Sequence, residues 1–135
     1  MFSEREVRYL CEQRLARIAT VSADLQPDVS PVGFQFDGQH FYVGGRLLEK
    51  TYKYRNVLAG RRKVALVIDD LASVDPWQPR GIKVYGQAEI IEQPGPAGPT
   101  RLLKITPTVY WSWGIEAPAF AEGKPVPKKK VVLSR

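Results

Sequence analysis

The stretch SPVGFQFDGQHFYVGG, residues 30–45, decides the fold class. Apolar residues alternate with small or polar ones from Val32 to Phe36, which is typical of a strand with one apolar face. Asp37-Gly38 follows, and a second apolar run, Phe41-Tyr42-Val43, comes soon after it. Because Asp-Gly between such runs favours a two-residue type I′ turn, we predict a hairpin whose two strands pair directly.

Four further segments predict strands around this hairpin. The run at 64–68 is apolar at every position, which favours a central strand covered on both faces, whereas 82–90 alternates cleanly. Between them, Asp69 to Pro79 is predicted to be a loop in which Asp69-Asp70 are turn formers. The full set of these strands covers residues 16–21, 64–68, 82–90 and 102–113, the last bent around Pro107.

Two short helices are predicted outside the strands. Ser3 and Glu6 match a capping box, so the first helix covers roughly residues 4–13. Cys11 falls on its apolar stripe, and we expect it to be buried. The second helix covers residues 50–59, and Gly60 stands where a residue past the C-cap favours glycine.

This order of elements predicts one mainly β domain over residues 1–135. Antiparallel strands joined by tight turns, with little helix, are typical of a closed barrel or a sandwich. Residues 118–135 are rich in Pro and Lys, and we expect this tail to be flexible and only partly ordered.

Composition narrows the class of protein. A formal net charge of +6 in 135 residues favours an anionic partner, because a basic field concentrates anions. One cysteine excludes an intramolecular disulfide and, with one histidine, a Cys/His metal site, so no metal is expected. The chain lacks an apolar run of about 20 residues, and its charged start is unlike a signal peptide. We therefore expect a cytoplasmic protein without a membrane partner.

The residues do not form a recognisable catalytic motif. His40 is read as a strand-end histidine, and neither a G-x-G-x-x-G nor a phosphate-binding P-loop pattern occurs. An enzyme of this sequence would therefore take its reactive atoms from a cofactor, with the catalytic side chains unknown. The best anion site runs from Gly44 to Lys53, where a helix start meets the charges of Arg46, Lys50 and Lys53. A solvated basic helix face is the alternative.

Two other basic clusters, 61–63 and 128–130, are typical of solubilising surface runs. With the aromatic residues Tyr85, Trp111 and Trp113, they leave open a stacking platform for single-stranded nucleic acid.

Four segments together resemble the pyridoxamine 5′-phosphate oxidase-like split β-barrel family. They are LARIATVSADLQPDVSPVGFQFDGQHFYVGG (15–45), EKTYKYRNVLAGRRKVALVIDD (49–70), RGIKVYGQAEII (80–91) and LLKITPTVYWSWGIE (102–116). Within that family the chain is similar to the actinobacterial branch of coenzyme F-420-dependent enzymes. The C-terminal end lacks the Arg and His residues of true pyridoxamine phosphate oxidases, which argues against vitamin-B6 oxidation.

The resemblance implies a six- to seven-stranded antiparallel split β-barrel with short flanking helices, assembled as a homodimer with two sites between the subunits. It implies cofactor contacts from the second strand, from the end of the hairpin, from the following helix start and, across the dimer, from the last strand. By similarity these are Ser30, Pro31, Val32, Val43, Gly44, Lys50, Thr51 and Trp113.

The implied activity is hydride transfer between the deazaflavin coenzyme F-420 and a small unsaturated substrate, with no nucleic-acid partner. Arg46, Lys53 and Arg55 suit the longer anionic tail of F-420 over that of FMN. An FMN-dependent oxidoreductase of the same fold and a non-enzymatic carrier of a cofactor or haem are the alternatives.

Overall fold

The computed structural model describes residues 1–133 as strands flanked by two short helices. The helices are α1 (Glu4–Glu12) and α2 (Tyr52–Leu58), and a 3-10 turn (Leu48–Lys50) precedes α2. The strands are β1 (Leu15–Val21), β2 (Pro27–Gly33), β3 (Gln35–Phe36), β4 (Phe41–Val43), β5 (Lys63–Ser73), β6 (Gln78–Gln93), β7 (Thr100–Trp113), β8 (Phe120–Ala121), β9 (Lys124–Pro125) and β10 (Lys129–Val132).

Seven strands form one antiparallel sheet in the order β2-β1-β5-β6-β7-β4-β3, and β10 also pairs with β7. The sheet curls into a half-barrel, which confirms the predicted mainly β split-barrel class with short helices. Its long strands are β6 and β7, whose register shifts between Tyr85 and Gly86, opposite Pro107. The predicted bend around Pro107 therefore corresponds to a β-bulge.

The hairpin prediction is right in its pairing and wrong in its turn. Phe36 pairs with Phe41 and Gln35 with Tyr42, as expected. Only Gly38 has a positive φ, of 99°, whereas a type I′ turn needs two such residues. The Asp37 carboxylate instead accepts the amides of Gln39 (2.9 Å) and His40 (2.7 Å), which stabilises a longer loop.

The predicted loop between residues 69 and 79 is wrong. β5 runs to Ser73 and β6 starts at Gln78, so the loop is limited to residues 74–77, and Asp69 and Asp70 are paired within the ladder with Gly81 and Arg80. Arg80 donates to both Asp70 oxygens, at 2.7 and 3.0 Å, and the Tyr9 hydroxyl donates to Asp70 at 2.9 Å. Partners distant in sequence thus hold as strand a segment whose composition favours a turn.

The two faces of the sheet differ in chemistry. Ile18, Leu66, Val84 and Tyr110 are partners across β1, β5, β6 and β7, and all are at most 1% exposed, so they form the centre of the core. The next row of partners points to the outer face. We call it the apolar row, and its members are Val29, Ala19, Ala65, Tyr85, Val109 and Val132.

The helices lie close to their predicted positions. Ser3 and Glu6 form the expected capping box. Cys11 is exposed, so its predicted burial is wrong; Tyr9 and Leu10 are the buried residues of that turn. α2 begins at Tyr52, with Thr51 as N-cap, and Gly60 has a φ of 98°, as its predicted position requires.

The C-terminal tail contributes more structure than its composition indicates. β8 pairs with β9, and Lys129–Val132 pairs with Val109–Ser112 of β7. Part of the segment predicted to be a partly ordered tail therefore belongs to the main sheet. Across residues 1–133, none of the helices combines the length and apolar character needed to cross a membrane.

Candidate functional site

Lys53 is the central residue of the candidate site. It lies on the face of α2 that packs against β1, and it is only 9% exposed. Its ammonium donates to the Ser30 hydroxyl of β2 at 3.3 Å, which joins two residues of the predicted site. The next turn of α2 is fixed by Asn56, whose amide donates to Thr20 of β1 at 3.0 Å.

The charge of Lys53 lacks a counter-charge within residues 1–133. No carboxylate oxygen of this part of the chain lies within 4.0 Å of its Nζ. Asp28 is on the same face of β2 as Ser30, yet it also stays beyond that distance. Since a buried ammonium is costly unless it is paired with an anion, this position favours an anionic ligand.

The three residues predicted on β2 do not all face the same way. Ser30 and Val32 pair with Ile18 and Ala16 on the inner face, whereas Pro31 pairs with Arg17 on the outer face. Val32 is 8% exposed, so its side chain belongs to the core. A ligand beside Val32 would therefore contact backbone atoms.

At the end of the hairpin, Val43 and Gly44 could contact a ligand through backbone atoms but not through side chains. Val43 is fully buried and pairs with Leu103 of β7. At Gly44, an added Cβ would lie 2.5 Å from Leu102 Cδ2, so a larger residue would require Leu102 to move. A groove of about 520 Å³ opens here, lined among others by Gly44, Gly45 and Tyr42.

Most of the predicted helix-start residues lie at the surface, in contrast to the buried Lys53. Arg46, Lys50 and Arg55 are exposed, and Lys50 ends the 3-10 turn instead of opening α2. Thr51 is half-buried, and its hydroxyl donates to the Leu48 carbonyl at 2.6 Å while accepting from the Tyr54 amide at 3.3 Å. The Thr51 hydroxyl is therefore used in local hydrogen bonds, and the charged groups of this surface are the three cations and the exposed Glu49 beside Lys50.

Trp113 lies on the outer face at the end of β7, paired with Gly81. Pro31 is on the same face, but β1, β5 and β6 separate its strand from β7. At roughly 4.8 Å per strand, this separation is roughly 19 Å around the sheet. Along β7, Trp113 is also roughly 33 Å from Leu103, the partner of Val43, at roughly 3.3 Å per residue. One chain does not bring Trp113 to the other predicted residues.

Lysines and aromatic rings contact Trp111 and Trp113 on this face. Lys83 Nζ lies 4.2 Å from the Trp111 ring centroid, Lys130 Nζ lies 5.7 Å from the same centroid, and Lys128 Nζ lies 4.8 Å from that of Trp113. Tyr85 packs edge-on against Trp111, with centroids 4.8 Å apart. We call these residues, Lys83, Tyr85, Trp111, Trp113, Lys128 and Lys130, the aromatic wall.

A second buried charge, Glu6, was visible in the sequence only as a capping residue. It is fully buried, and its carboxylate accepts from the Tyr110 hydroxyl (2.6 Å), the Ser112 hydroxyl (2.7 Å) and Lys129 Nζ (3.1 Å). Burial alone would raise the pKa of Glu6, but these bonds and that from the Ser3 amide outweigh it and lower the pKa. No sequence pattern links Glu6 to residues so distant in the chain.

Comparison with known proteins agrees with this architecture. The model of the family described as pyridoxamine 5′-phosphate oxidase matches residues 3–114. The chain belongs to this family. The resemblance found in the sequence is therefore confirmed, and the curled antiparallel sheet agrees with the split barrel that it implied.

One relative of this chain is named as a reductase. The chain is 33% identical over 121 residues to a 5a,11a-dehydrotetracycline/5a,11a-dehydrooxytetracycline reductase of Streptomyces rimosus. The match covers 85% of this chain and 84% of the relative. Together with the family, it supports an oxidoreductase function.

Solved structures agree with the fold. An F420 reductase has a TM-score of 0.61 at 24% identity, covering 76% of this chain and 93% of its own. An FAD-binding protein of Mesorhizobium loti has a TM-score of 0.62 at 18% identity, with coverages of 82% and 93%. General Stress Protein 26 of Bacillus anthracis reaches 0.67 at 19% identity, with coverages of 96% and 97%. The fold is thus one found in proteins named for deazaflavin and flavin cofactors.

Proposed function

We propose that this protein is a homodimeric reductase that transfers a hydride between coenzyme F-420 and a small, flat, unsaturated substrate bound in a cleft between the subunits. The observation that carries the proposal is Lys53, a cation only 9% exposed whose side-chain partner within residues 1–133 is a neutral hydroxyl, that of Ser30. A phosphorylated cofactor would supply the missing anion.

The residues present fit such a cofactor. Lys53 and Ser30 would hold a phosphate oxygen by a charge-assisted hydrogen bond and a neutral one. Arg46, Lys50 and Thr51 would lie along the phosphorylated tail. The ring system would rest on backbone of Val32, Val43 and Gly44 and against the ring of Pro31.

The choice of F-420 over FMN rests on charge. Arg46, Lys50 and Arg55 are exposed cations close in sequence to Lys53, and they exceed what one phosphate group needs. The longer, more anionic tail of F-420 would use them. The F420 reductase with this fold supports the same choice, whereas an FMN-dependent oxidoreductase remains the second candidate because of the FAD-binding protein of similar structure.

The dimer is proposed from the outer face of the sheet. Val29, Tyr85 and Val132 of the apolar row are 67%, 45% and 60% exposed, and exposed apolar surface of this kind is typical of an interface. A groove of about 440 Å³ lies there, lined among others by Ala19, Ala65 and Tyr85. A second copy packed on this face would bring its Trp113 towards the Pro31 that is out of reach within one chain.

The bound coenzyme would carry the hydride, and the protein would supply binding and orientation. Lys53 and Ser30 would fix one end of the cofactor, and the Trp113 of the partner would close the cleft and exclude water. Catalysis would come mainly from holding donor and acceptor carbons roughly 3–3.5 Å apart. The dehydrotetracycline reductase relative supports an unsaturated ring compound as the acceptor.

Two titrations test this proposal. The wild-type protein, Lys53→Met and Lys124→Met are titrated with F-420 and with FMN by tryptophan fluorescence, Lys124 being an exposed lysine of β9. We expect F-420 to bind more tightly than FMN, and Lys53→Met to lose about 1.5–3 kcal/mol of affinity while Lys124→Met keeps it. Tighter FMN binding would select the flavin branch; unchanged affinity in Lys53→Met would refute the site.

Turnover separates an enzyme from a carrier. Reduced F-420 is mixed with the protein and a panel of unsaturated cyclic ketones, and its oxidation is followed by absorbance. We expect turnover with at least one planar acceptor. Tight coenzyme binding without any turnover across the panel would instead support the carrier.

A further inference from the structure

Lys129 and Lys130 of the C-terminal strand β10, and Lys128 directly before it, lie alternately on the two faces of the sheet. Lys129 pairs with Ser112 and points inward, where its ammonium lies 3.1 and 3.2 Å from the two Glu6 oxygens. Lys128 and Lys130 point outward onto Trp113 and Trp111. One short strand therefore connects a buried ion pair to the aromatic wall.

Lys129 is the cation that balances Glu6 among the described residues. The other partners of the carboxylate, the Ser3 amide and the hydroxyls of Tyr110 and Ser112, are neutral. A buried carboxylate without a cation is strongly unfavourable, so the docking of β10 is coupled to the charge of Glu6.

The remaining attachment of β10 is modest. It is a four-residue strand, followed by one more backbone bond from the Leu133 amide to the Thr108 carbonyl at 2.8 Å, and Val131 and Leu133 pack partly buried against the core. Short terminal segments of this kind open locally at low free energy. Glu6 and Lys129 thus hold a segment that its backbone pairing alone would hold weakly.

We propose that Glu6 and Lys129 form a clamp that positions the aromatic wall for cofactor binding, Glu6 acting as a positioning residue rather than a catalytic one. The inference rests on the proposed function in one respect, because Trp113 is the proposed cofactor contact from the partner subunit. Opening the clamp withdraws Lys128 and Lys130 from the tryptophans and leaves that wall unsupported.

The first arm of the test uses the full-length protein without cofactor. Hydrogen exchange is measured for the amides of residues 129–132 in wild type, Lys129→Met, Lys129→Arg and Lys124→Met. We expect about tenfold faster exchange in Lys129→Met, near-wild-type exchange in Lys129→Arg and no change in Lys124→Met. Equal exchange in wild type and Lys129→Met would overturn the clamp.

The second arm measures F-420 dissociation constants for the same proteins. We expect about tenfold weaker binding in Lys129→Met and recovery in Lys129→Arg. Faster exchange with unchanged coenzyme affinity would overturn the positioning role. If wild type does not bind F-420, the proposed function fails by itself, and the clamp's effect on ligand binding fails with it, while the exchange arm still decides whether the clamp exists.

A further variant covers the case in which Lys129→Met does not fold. Glu6→Gln/Lys129→Met removes both charges together, so no buried carboxylate is left alone. We expect it to fold and to show the same fast exchange and weak binding as the single variant. Wild-type values in this folded double variant would contradict the proposal.

Discussion

Glu6 and Lys53 are both buried charges, yet their surroundings differ. Glu6 is fully buried and accepts from two hydroxyls, a backbone amide and the ammonium of Lys129. Lys53 is 9% exposed, and the described chain offers its side chain one neutral hydroxyl. The chain itself supplies the counter-charge and the hydrogen-bond donors of Glu6. The counter-charge of Lys53 would come from a bound ligand.

This difference distinguishes a buried charge that stabilises the fold from a buried charge that binds a ligand. A fold that satisfies a buried charge gains specificity of packing, and removing the charge damages the fold. A fold that leaves one unsatisfied gives up stability at that position, and this is typical of binding sites. Removing the charge of Glu6 should therefore destabilise the free protein, whereas removing that of Lys53 should not.

The largest effect is expected from removing Glu6. Glu6→Ala leaves the Ser112 hydroxyl without its acceptor, the Tyr110 hydroxyl with the Met1 carbonyl at 3.3 Å as its acceptor, and Lys129 without its counter-charge. We expect the free energy of unfolding to fall by about 3 kcal/mol, the low end for a broken buried pair because Lys129 is partly exposed. Urea denaturation measures it, with Glu12→Ala, an exposed glutamate of α1, as the control. A loss equal to that of the control would refute the role of the cluster.

The pH dependence of stability provides the next test. The hydrogen bonds to Glu6 outweigh its burial, so its pKa in the folded protein lies below the unfolded value. The charged form therefore stabilises the fold above the unfolded pKa, and this stability is lost as the pH falls through the folded pKa. The free energy of unfolding, measured by urea denaturation, should therefore fall less between pH 7 and pH 3 in Glu6→Gln than in the wild type. A fall as large as that of the wild type would contradict the claim that the charged form of Glu6 stabilises the fold.

Removing the charge of Lys53 should leave the free protein intact. Lys53→Met keeps the length and apolar stem of the side chain, so we expect the free energy of unfolding to be unchanged or up to about 1 kcal/mol higher. Urea denaturation without cofactor measures it. A loss of stability, matched by an equal loss in Asp28→Asn, would mean that Asp28 balances Lys53 in solution.

The smallest effect is expected at an exposed ion pair with good geometry. Arg17 and Asp69 approach to 2.8 Å on the outer face, but their side chains are 44% and 50% exposed. A double-mutant cycle with alanine should give a coupling below about 1 kcal/mol that decreases with salt. A coupling as large as that at Glu6 would show that burial is not what distinguishes these pairs.

The elements that local chemistry dictates were predictable from the sequence. The α1 capping box, the pairing across Asp37-Gly38 and the alternating strand around residues 82–90 depend on neighbours in the chain, and the structure confirms them. The extension of β5 through Asp69-Asp70 was not predictable. Arg80 and Tyr9 hold Asp70 in place, and sequence periodicity carries no information on such distant partners.

The candidate site divides in the same way. A cation at position 53 could be read from the sequence, but its burial against Ser30 depends on how α2 packs over β1 and β2. Resemblance to the family proposed Ser30, and the basic helix start proposed Lys53, but neither indicated that the charge of Lys53 lacks a partner. The cluster of Glu6, Ser112 and Lys129 was missed altogether, because its members come together only when the two ends of the chain meet on β7.

The measurement that tests the central claim most directly is the thermal unfolding of wild type and Lys53→Met with and without F-420. A ligand at 100 times its dissociation constant stabilises a folded protein by about 2.7 kcal/mol. At the same concentration we expect a clear rise in Tm for the wild type and at most about half that rise for Lys53→Met, because the affinity of the variant is about 1.5–3 kcal/mol lower. An equal rise in Tm in both proteins would contradict the claim that Lys53 binds an anionic cofactor.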